Sequence, residues 1–180
     1  MTIGMTASMT TGMSAGMSAG MSTGTTTSGD ELFCVLLALE GERLLLPRQL
    51  LVEAVAWVHP KPMPGAPAWY PGTVEWNGQT VPVVAFEPVL GREASPATGR
   101  TRIALLRALG TRLPSRLLGV VVQGFPQTVR VTRDSLKRDD AGGLPDHWPV
   151  LCRVRMVNEA PLIPDLEALE ALVADETVAR

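Results

Sequence analysis

The sequence predicts an all-β protein of two small barrel-like lobes closed by a C-terminal helix. Three observations carry that expectation. Apolar runs of strand length recur between Leu32 and Val157, and glycine, asparagine and proline punctuate them at turn positions. A polar stretch over residues 91–100 then divides the runs into two groups. The boundaries that follow are a tail over residues 1–29 and a folded part over 30–177, with lobes over about 30–91 and 101–177.

Residues 1–29 repeat Met, Thr, Ser, Gly and Ala, with Met1, Met5, Met9, Met13, Met17 and Met21 spaced by four. That spacing would stack the thioethers on one helical face. Gly4, Gly12, Gly16, Gly20 and Gly24 oppose it, each costing about 1 kcal/mol of helix propensity relative to Ala. A disordered tail is the expectation, and Met13, Met17 or Met21 could equally start the chain. Thioethers can hold Cu(I), but no His or Cys accompanies them, so no metal is expected. Two Gly-x-Ser-x-Gly patterns, at Gly12–Gly16 and Gly16–Gly20, lack the preceding strand that gives such an elbow meaning.

After Gly29, Leu32–Leu39 and Leu44–Leu46 flank Glu40-Gly41-Glu42 in hairpin order. Gln49–Val58 fits a short helix and a strand end equally. Pro60, Pro62, Pro64, Pro67 and Pro71 remove backbone donors and fix φ, so residues 59–71 form a rigid extended connection. Thr73–Trp76 and Thr80–Phe86 surround Asn77-Gly78, the dipeptide that tolerates the positive φ of a type I′ turn. Later strands are expected at Ile103–Leu109, Leu117–Val122, Thr128–Val131 and Leu151–Val157. At the end, Leu166, Leu169, Leu172 and Val173 lie on one helical face, with Asp165 placed to cap.

Composition excludes several function classes. The net charge is −2, from 16 basic and 18 acidic residues interspersed, so no basic stripe invites nucleic acid. No apolar run approaches the ~20 residues that cross a bilayer, and no export signal opens the chain. Cys34 and Cys152 sit in apolar runs and read as small buried hydrophobes in a reducing cytoplasm. Catalysis would need an activated nucleophile. The two histidines are His59, in the proline-rich connection, and His147, beside Asp146 between Pro145 and Pro149, with Cys152 as the one nearby nucleophile. Neither a phosphate-cradling loop nor a zinc-type Cys/His cluster is present, so no cofactor is expected and the chain is not read as an enzyme.

Gly72-Thr73-Val74-Glu75-Trp76-Asn77-Gly78 followed by Val81-Pro82-Val83-Val84 resembles the signature of CheW-like domains: a glycine, an apolar strand, a second glycine, then a Val-Pro strand. Leu51-Val52-Glu53-Ala54 falls where that family carries Val-x-Glu-Ile, and Pro67-Ala68-Trp69 where it carries a Pro-x-aromatic lead-in. Leu118-Gly119-Val120-Val121-Val122 looks like its second-lobe glycine strand, and Asp165–Leu169 like its closing segment. Asn77, Ala85 and Gln123 depart from the arginine and two aspartates usual at those places. Pro161 and Pro164 interrupt a late strand, confining it to a sheet edge or requiring a bulge.

The resemblance implies two five-stranded SH3-like barrel lobes and an adaptor role. The implied partners are the cytoplasmic tip of methyl-accepting chemoreceptors and the regulatory domain of a CheA-type histidine kinase, met in the cytoplasm at polar receptor arrays without membrane insertion. The degenerate hairpin together with Leu45-Leu46-Pro47-Arg48-Gln49-Leu50-Leu51-Val52-Glu53-Ala54 looks like the ChpC-like accessory adaptors of systems that control type IV pili and twitching motility. The partner-binding residues it implies are Leu51, Glu53, Gly72, Trp76, Asn77, Val83 and Gly119. On this reading the kinase docks through Leu51, Glu53 and Gly72, Gly119 marks an equivalent surface on the other lobe, and Gly72→Arg blocks docking while sparing the fold. Each has a purely structural alternative: a bulge or turn for Gly72 and Gly119, core packing for Leu51 and Val83. A small-barrel module that binds another scaffold by strand addition, and a hydrolase built on His147, stand as the competing functions.

Overall fold

The computed structural model describes residues 31–139 and 143–178. The expected tail over 1–29 lies outside them. The elements run β1 (Glu31–Ala38), β2 (Arg43–Pro47), a 3-10 turn (Arg48–Leu50), β3 (Leu51–Ala56), β4 (Gly72–Trp76), β5 (Gln79–Val84), α1 (Phe86–Val89), β6 (Thr101–Arg107), β7 (Leu117–Gln123), β8 (Gln127–Thr132), β9 (Lys137–Arg138), β10 (Val150–Arg155), β11 (Leu162–Pro164) and α2 (Leu166–Val178). The fold is all-β in two sheets with a C-terminal helix, as the sequence leads one to expect. The open choice at residues 49–58 resolves as a 3-10 turn feeding a strand.

The lobes do not follow the order of the chain. One sheet has six strands in the order β8-β1-β2-β11-β10-β9, and the other five in the order β3-β6-β7-β5-β4. A division at residues 91–100 is therefore the wrong cut, because the first hairpin belongs with the last strands and the middle of the chain makes the other sheet by itself. β1 supplies the reason: it pairs with β2 on one side and with β8 on the other, from Glu31↔Thr132 to Leu36↔Gln127. β2 is closed in turn by a parallel contact to β11, Leu162↔Leu44.

Burial follows the strand period. In β1, Cys34 and Leu36 face a small core with Leu45, Val131 and Val154, whereas Val35 and Leu37 face the opposite way. In the five-stranded sheet, Val83, Ile103, Leu105 and Val121 enclose a second small core with Val74, Val81, Ala85 and Leu117. Their alternates Val84, Ala104, Leu106, Leu118, Val120 and Val122 join Val35, Leu37, Leu44 and Leu46 in the largest core, between the sheets, which α1 and α2 complete with Phe86, Leu166, Leu169 and Val173. Strands buried on both faces read as unbroken apolar runs, which is why Leu117–Val122 shows no alternation.

Local chemistry accounts for the remaining boundaries. Asn77 (φ 47°) and Gly78 (φ 75°) make the tight turn that pairs β4 with β5, in register from Gly72↔Val83 to Trp76↔Gln79. The expected strand Thr80–Phe86 stops at Val84, where Phe86 opens α1. β11 follows Pro161 and ends on Pro164, and it is not at a sheet edge, since β2 and β10 flank it; the irregularity is a register shift in β10 between Val150 and Cys152. Proline keeps its carbonyl, and Pro161 O accepts from Val154 N at 2.9 Å.

α2 begins with the expected cap, Asp165 Oδ1 accepting from Ala168 N at 3.0 Å. Its inward face is Leu166, Leu169, Glu170 and Val173, the spacing of three and four that a helix requires, and Leu172 is 39% exposed. Leu172 is therefore not on the docking face. The buried Glu170 carboxylate instead accepts from the backbone N–H groups of Leu109 and Gly110, satisfying donors in the connection after β6.

Candidate functional site

All seven candidate residues fall in the five-stranded sheet or at its turn: Leu51 and Glu53 on β3, Gly72 and Trp76 on β4, Asn77 at the β4–β5 turn, Val83 on β5, Gly119 on β7. Gly119 is thus not on a second lobe. Pairings run Gly72↔Val83, Val83↔Gly119, Gly119↔Leu105 and Leu105↔Glu53, so one continuous row crosses all five strands. Residues dispersed over 69 positions of sequence are brought together by registry alone.

β3 and β4 are the two ends of this sheet, and a side-chain bond joins them. Trp76 Nε1 donates to Glu53 Oε2 at 3.1 Å across a sequence separation of 23. The Trp76 ring also rests on the small core that contains Val83 and Ile103. The hydrogen bond to a charged acceptor therefore fixes the indole as a wall between the two ends. Glu53 and Asn77 are exposed and Trp76 is half-buried, with Glu75 and Thr80 bonded to each other beside them at 2.7 Å. These groups are the exposed part of the candidate site. Leu51 is half-buried at its margin and packs into the core between the sheets.

Gly72, Val83 and Gly119 are buried and lie in the wall rather than on the surface. Gly72 holds φ at 128°, and an added Cβ would stand 2.0 Å from Lys61 O. The close approach exists because Lys61 and Thr73 exchange backbone hydrogen bonds at 2.7 and 3.0 Å, pinning the proline-rich connection to β4. Gly72→Arg would therefore disrupt the fold, contrary to the expectation of a silent docking variant. A Cβ on Gly119 would meet Ile103 Cγ2 at 3.0 Å and Val83 Cγ2 at 3.2 Å, so this glycine makes room for core packing.

The other tryptophans are not on this face as anchors. Trp69 and Trp148 pack against the core between the sheets, and Trp57 against the small core of the five-stranded sheet. His147 is exposed with its ring 6.5 Å from that of Trp148, while Cys152 packs beside the small core of the six-stranded sheet. Both cysteines are free, and burial raises the Cys34 thiol above its ordinary value.

A second polar cluster escaped sequence reasoning because its members are 111 residues apart. Glu42, in the β1–β2 turn, has a side chain only 10% exposed. It takes Arg92 Nη2 at 2.9 Å and both Arg153 guanidinium nitrogens at 3.1 Å. Arg153 also donates to Ala160 O at 2.9 Å, and Glu40 N donates to the buried Glu87 carboxylate at 3.1 Å. The segment after β5 is thereby tied to the hairpin that opens the other sheet. Among the described residues no group of three His, Cys, Asp or Glu is placed to hold a metal, and no helix is long and apolar enough to cross a membrane.

Comparison with known proteins agrees with this architecture. Residues 18–170 match the family model described as CheW-like domain. The crystal structure of scaffolding protein TtCheW from Thermoanaerobacter tengcongensis superposes with a TM-score of 0.63 at 18% identity, covering 75% of this chain and 84% of that one. No curated protein matches the chain.

Proposed function

Because the chain belongs to the CheW-like domain family, we propose that it is a non-enzymatic adaptor of chemosensory signalling that holds methyl-accepting chemoreceptors and a CheA-type histidine kinase in one assembly. The observation that carries this reading is the family match over residues 18–170, which spans both sheets. Its contact surface on the five-stranded sheet is Glu53, Trp76 and Asn77 with Leu51 at the margin, and Gly72, Val83 and Gly119 serve as the wall behind it. A charge at the rim of such a surface steers encounter and sets register, and a fixed indole supplies contact area at low entropic cost. Asn77, in place of the usual arginine, supports the narrower reading of an accessory adaptor in a system that controls type IV pili, working in the cytoplasm.

Titration calorimetry of the full chain with the regulatory domain of a CheA-type kinase from the same cell tests the proposal. Affinity of about 1–10 μM is expected, falling at least about tenfold in Glu53→Lys. Glu53 is exposed, so the variant should keep its melting temperature within a few degrees of wild type. Absence of heat from a folded chain, together with no capture of the receptor tip, would overturn the adaptor reading.

A further inference from the structure

Charge that is nearly balanced over the whole chain is segregated along it. No Asp or Glu occurs between Glu93 and Asp134, where seven arginines do, and no Lys or Arg occurs between Arg155 and Arg180, where six acids do. The fold sets these two stretches side by side, because Glu170 of α2 holds the backbone N–H groups of Leu109 and Gly110 in the β6–β7 connection. That connection has a fixed shape. Ala108 N donates to Arg116 O at 2.9 Å and Arg116 N to Leu113 O at 3.0 Å, while Leu113 is buried in the core between the sheets. Arg116 sits at a φ of 54°, with its Nη1 on Gly110 O at 3.1 Å.

Arg107, Leu109 and Arg112 stand exposed on the connection, and Glu167, Leu172 and Asp175 stand exposed on α2. At 3.6 residues per turn, Glu167 and Asp175 fall between Glu170 and Leu172 around the helix, so an acidic strip adjoins the basic loop. Among the described residues none of these four charged side chains makes an ion pair. A surface with a basic patch beside an acidic one, and an apolar side chain in each, is complementary to itself. A two-fold rotation lays the basic loop of one copy on the acidic helix of the other, and does so twice. A partner of one sign matches half of the surface and is repelled by the rest. Anionic lipid headgroups, for instance, would attract Arg107 and Arg112 but meet Glu167 and Asp175 as like charges.

We propose that the β6–β7 connection and the outer face of α2 form an isologous dimer interface with a second copy of this chain. Arg107 and Arg112 of each copy face Glu167 and Asp175 of the other, around a centre made by Leu109 and Leu172. The interface uses none of Glu53, Trp76 and Asn77, and it does not depend on the adaptor reading.

Sedimentation equilibrium of the full chain, from about 5 to about 500 μM, tests the proposal. A monomer–dimer equilibrium with a Kd of about 50 μM is expected, weakening about tenfold or more as salt rises from about 20 to about 500 mM. Two double variants each reverse one patch: Arg107→Glu with Arg112→Glu, and Glu167→Lys with Asp175→Lys. Each alone should weaken dimerisation about tenfold or more, because like charges then meet on both sides of the axis. Mixed in equal amounts, the two should form a heterodimer as tight as the wild-type dimer, since an all-acidic face then meets an all-basic one. All four positions are exposed, so melting temperatures should stay within a few degrees of wild type, and recovery on mixing separates lost pairing from misfolding. A chain that is monomeric at about 500 μM in low salt overturns the proposal, as does a dimer indifferent to both variants. A dimer lost in each variant but not restored by mixing overturns the pairing of loop with helix.

Discussion

Lys61 O occupies the space a side chain at position 72 would need, so even Gly72→Ala should cost about 3 kcal/mol or more, read as a fall in melting temperature. Gly78 in the β4–β5 turn has φ 75° but nothing within 4 Å of an added Cβ, so Gly78→Ala carries only the conformational cost, about 1 kcal/mol. The two glycines bracket the same strand, and only geometry separates their roles. Cys34 allows a chemical check. Burial raises its folded-state pKa above the ordinary thiol value of 9.0, which the unfolded chain retains. The neutral thiol is thus favoured in the fold; stability is unaffected below that pH and falls as pH rises past it, because only the unfolded chain gains by ionising. A thiol reagent at neutral pH should label Cys152 first and Cys34 only on unfolding, which mass spectrometry resolves.

At the level of elements, α2 is the clearest case of a polar residue doing what an apolar one cannot. Glu170→Leu would fill the same space but orphan the Leu109 and Gly110 N–H groups, and should cost about 2 kcal/mol in denaturant unfolding, against less for Glu170→Gln, which keeps one acceptor. The same helix shows what the sequence could and could not reveal. Its period and its Asp165 cap were readable because both are local, whereas the choice of Glu170 over Leu172 for the inward face depended on donors 60 residues earlier. The β4–β5 hairpin was equally readable from Asn77-Gly78. β11 was not, because three residues that follow one proline and end on another carry no period and gain strand character only from β2 and β10. The candidate site was legible by motif but not by depth, since Gly72, Val83 and Gly119 look alike in a linear pattern whether they face partner or core.

For the whole molecule the decisive contacts lie between segments far apart in the chain. The core between the sheets draws on β1, β2, β5, β6, β7, α1 and α2, so neither lobe is a module that could be cut free. A fragment of residues 51–123 would expose Val84, Ala104, Leu106, Leu118, Val120 and Val122, and should bind a hydrophobic dye strongly where the full chain does not. The Glu42 cluster holds the assembly at its rim. Glu42→Ala strands Arg153 partly buried and should cost about 3 kcal/mol, measured by denaturant midpoint at unchanged slope.

That strand order sets a timetable for synthesis. The first hairpin leaves the ribosome with both long edges open, and its neighbours β8 and β11 arrive only after the five strands of the other sheet have been made. For most of translation, β1 is an apolar edge awaiting a partner nearly 100 residues downstream, a segment of the kind that chaperones hold and that pairs wrongly when crowded. Expression yield should therefore respond to chaperone supply more than to any change at the Glu53 face.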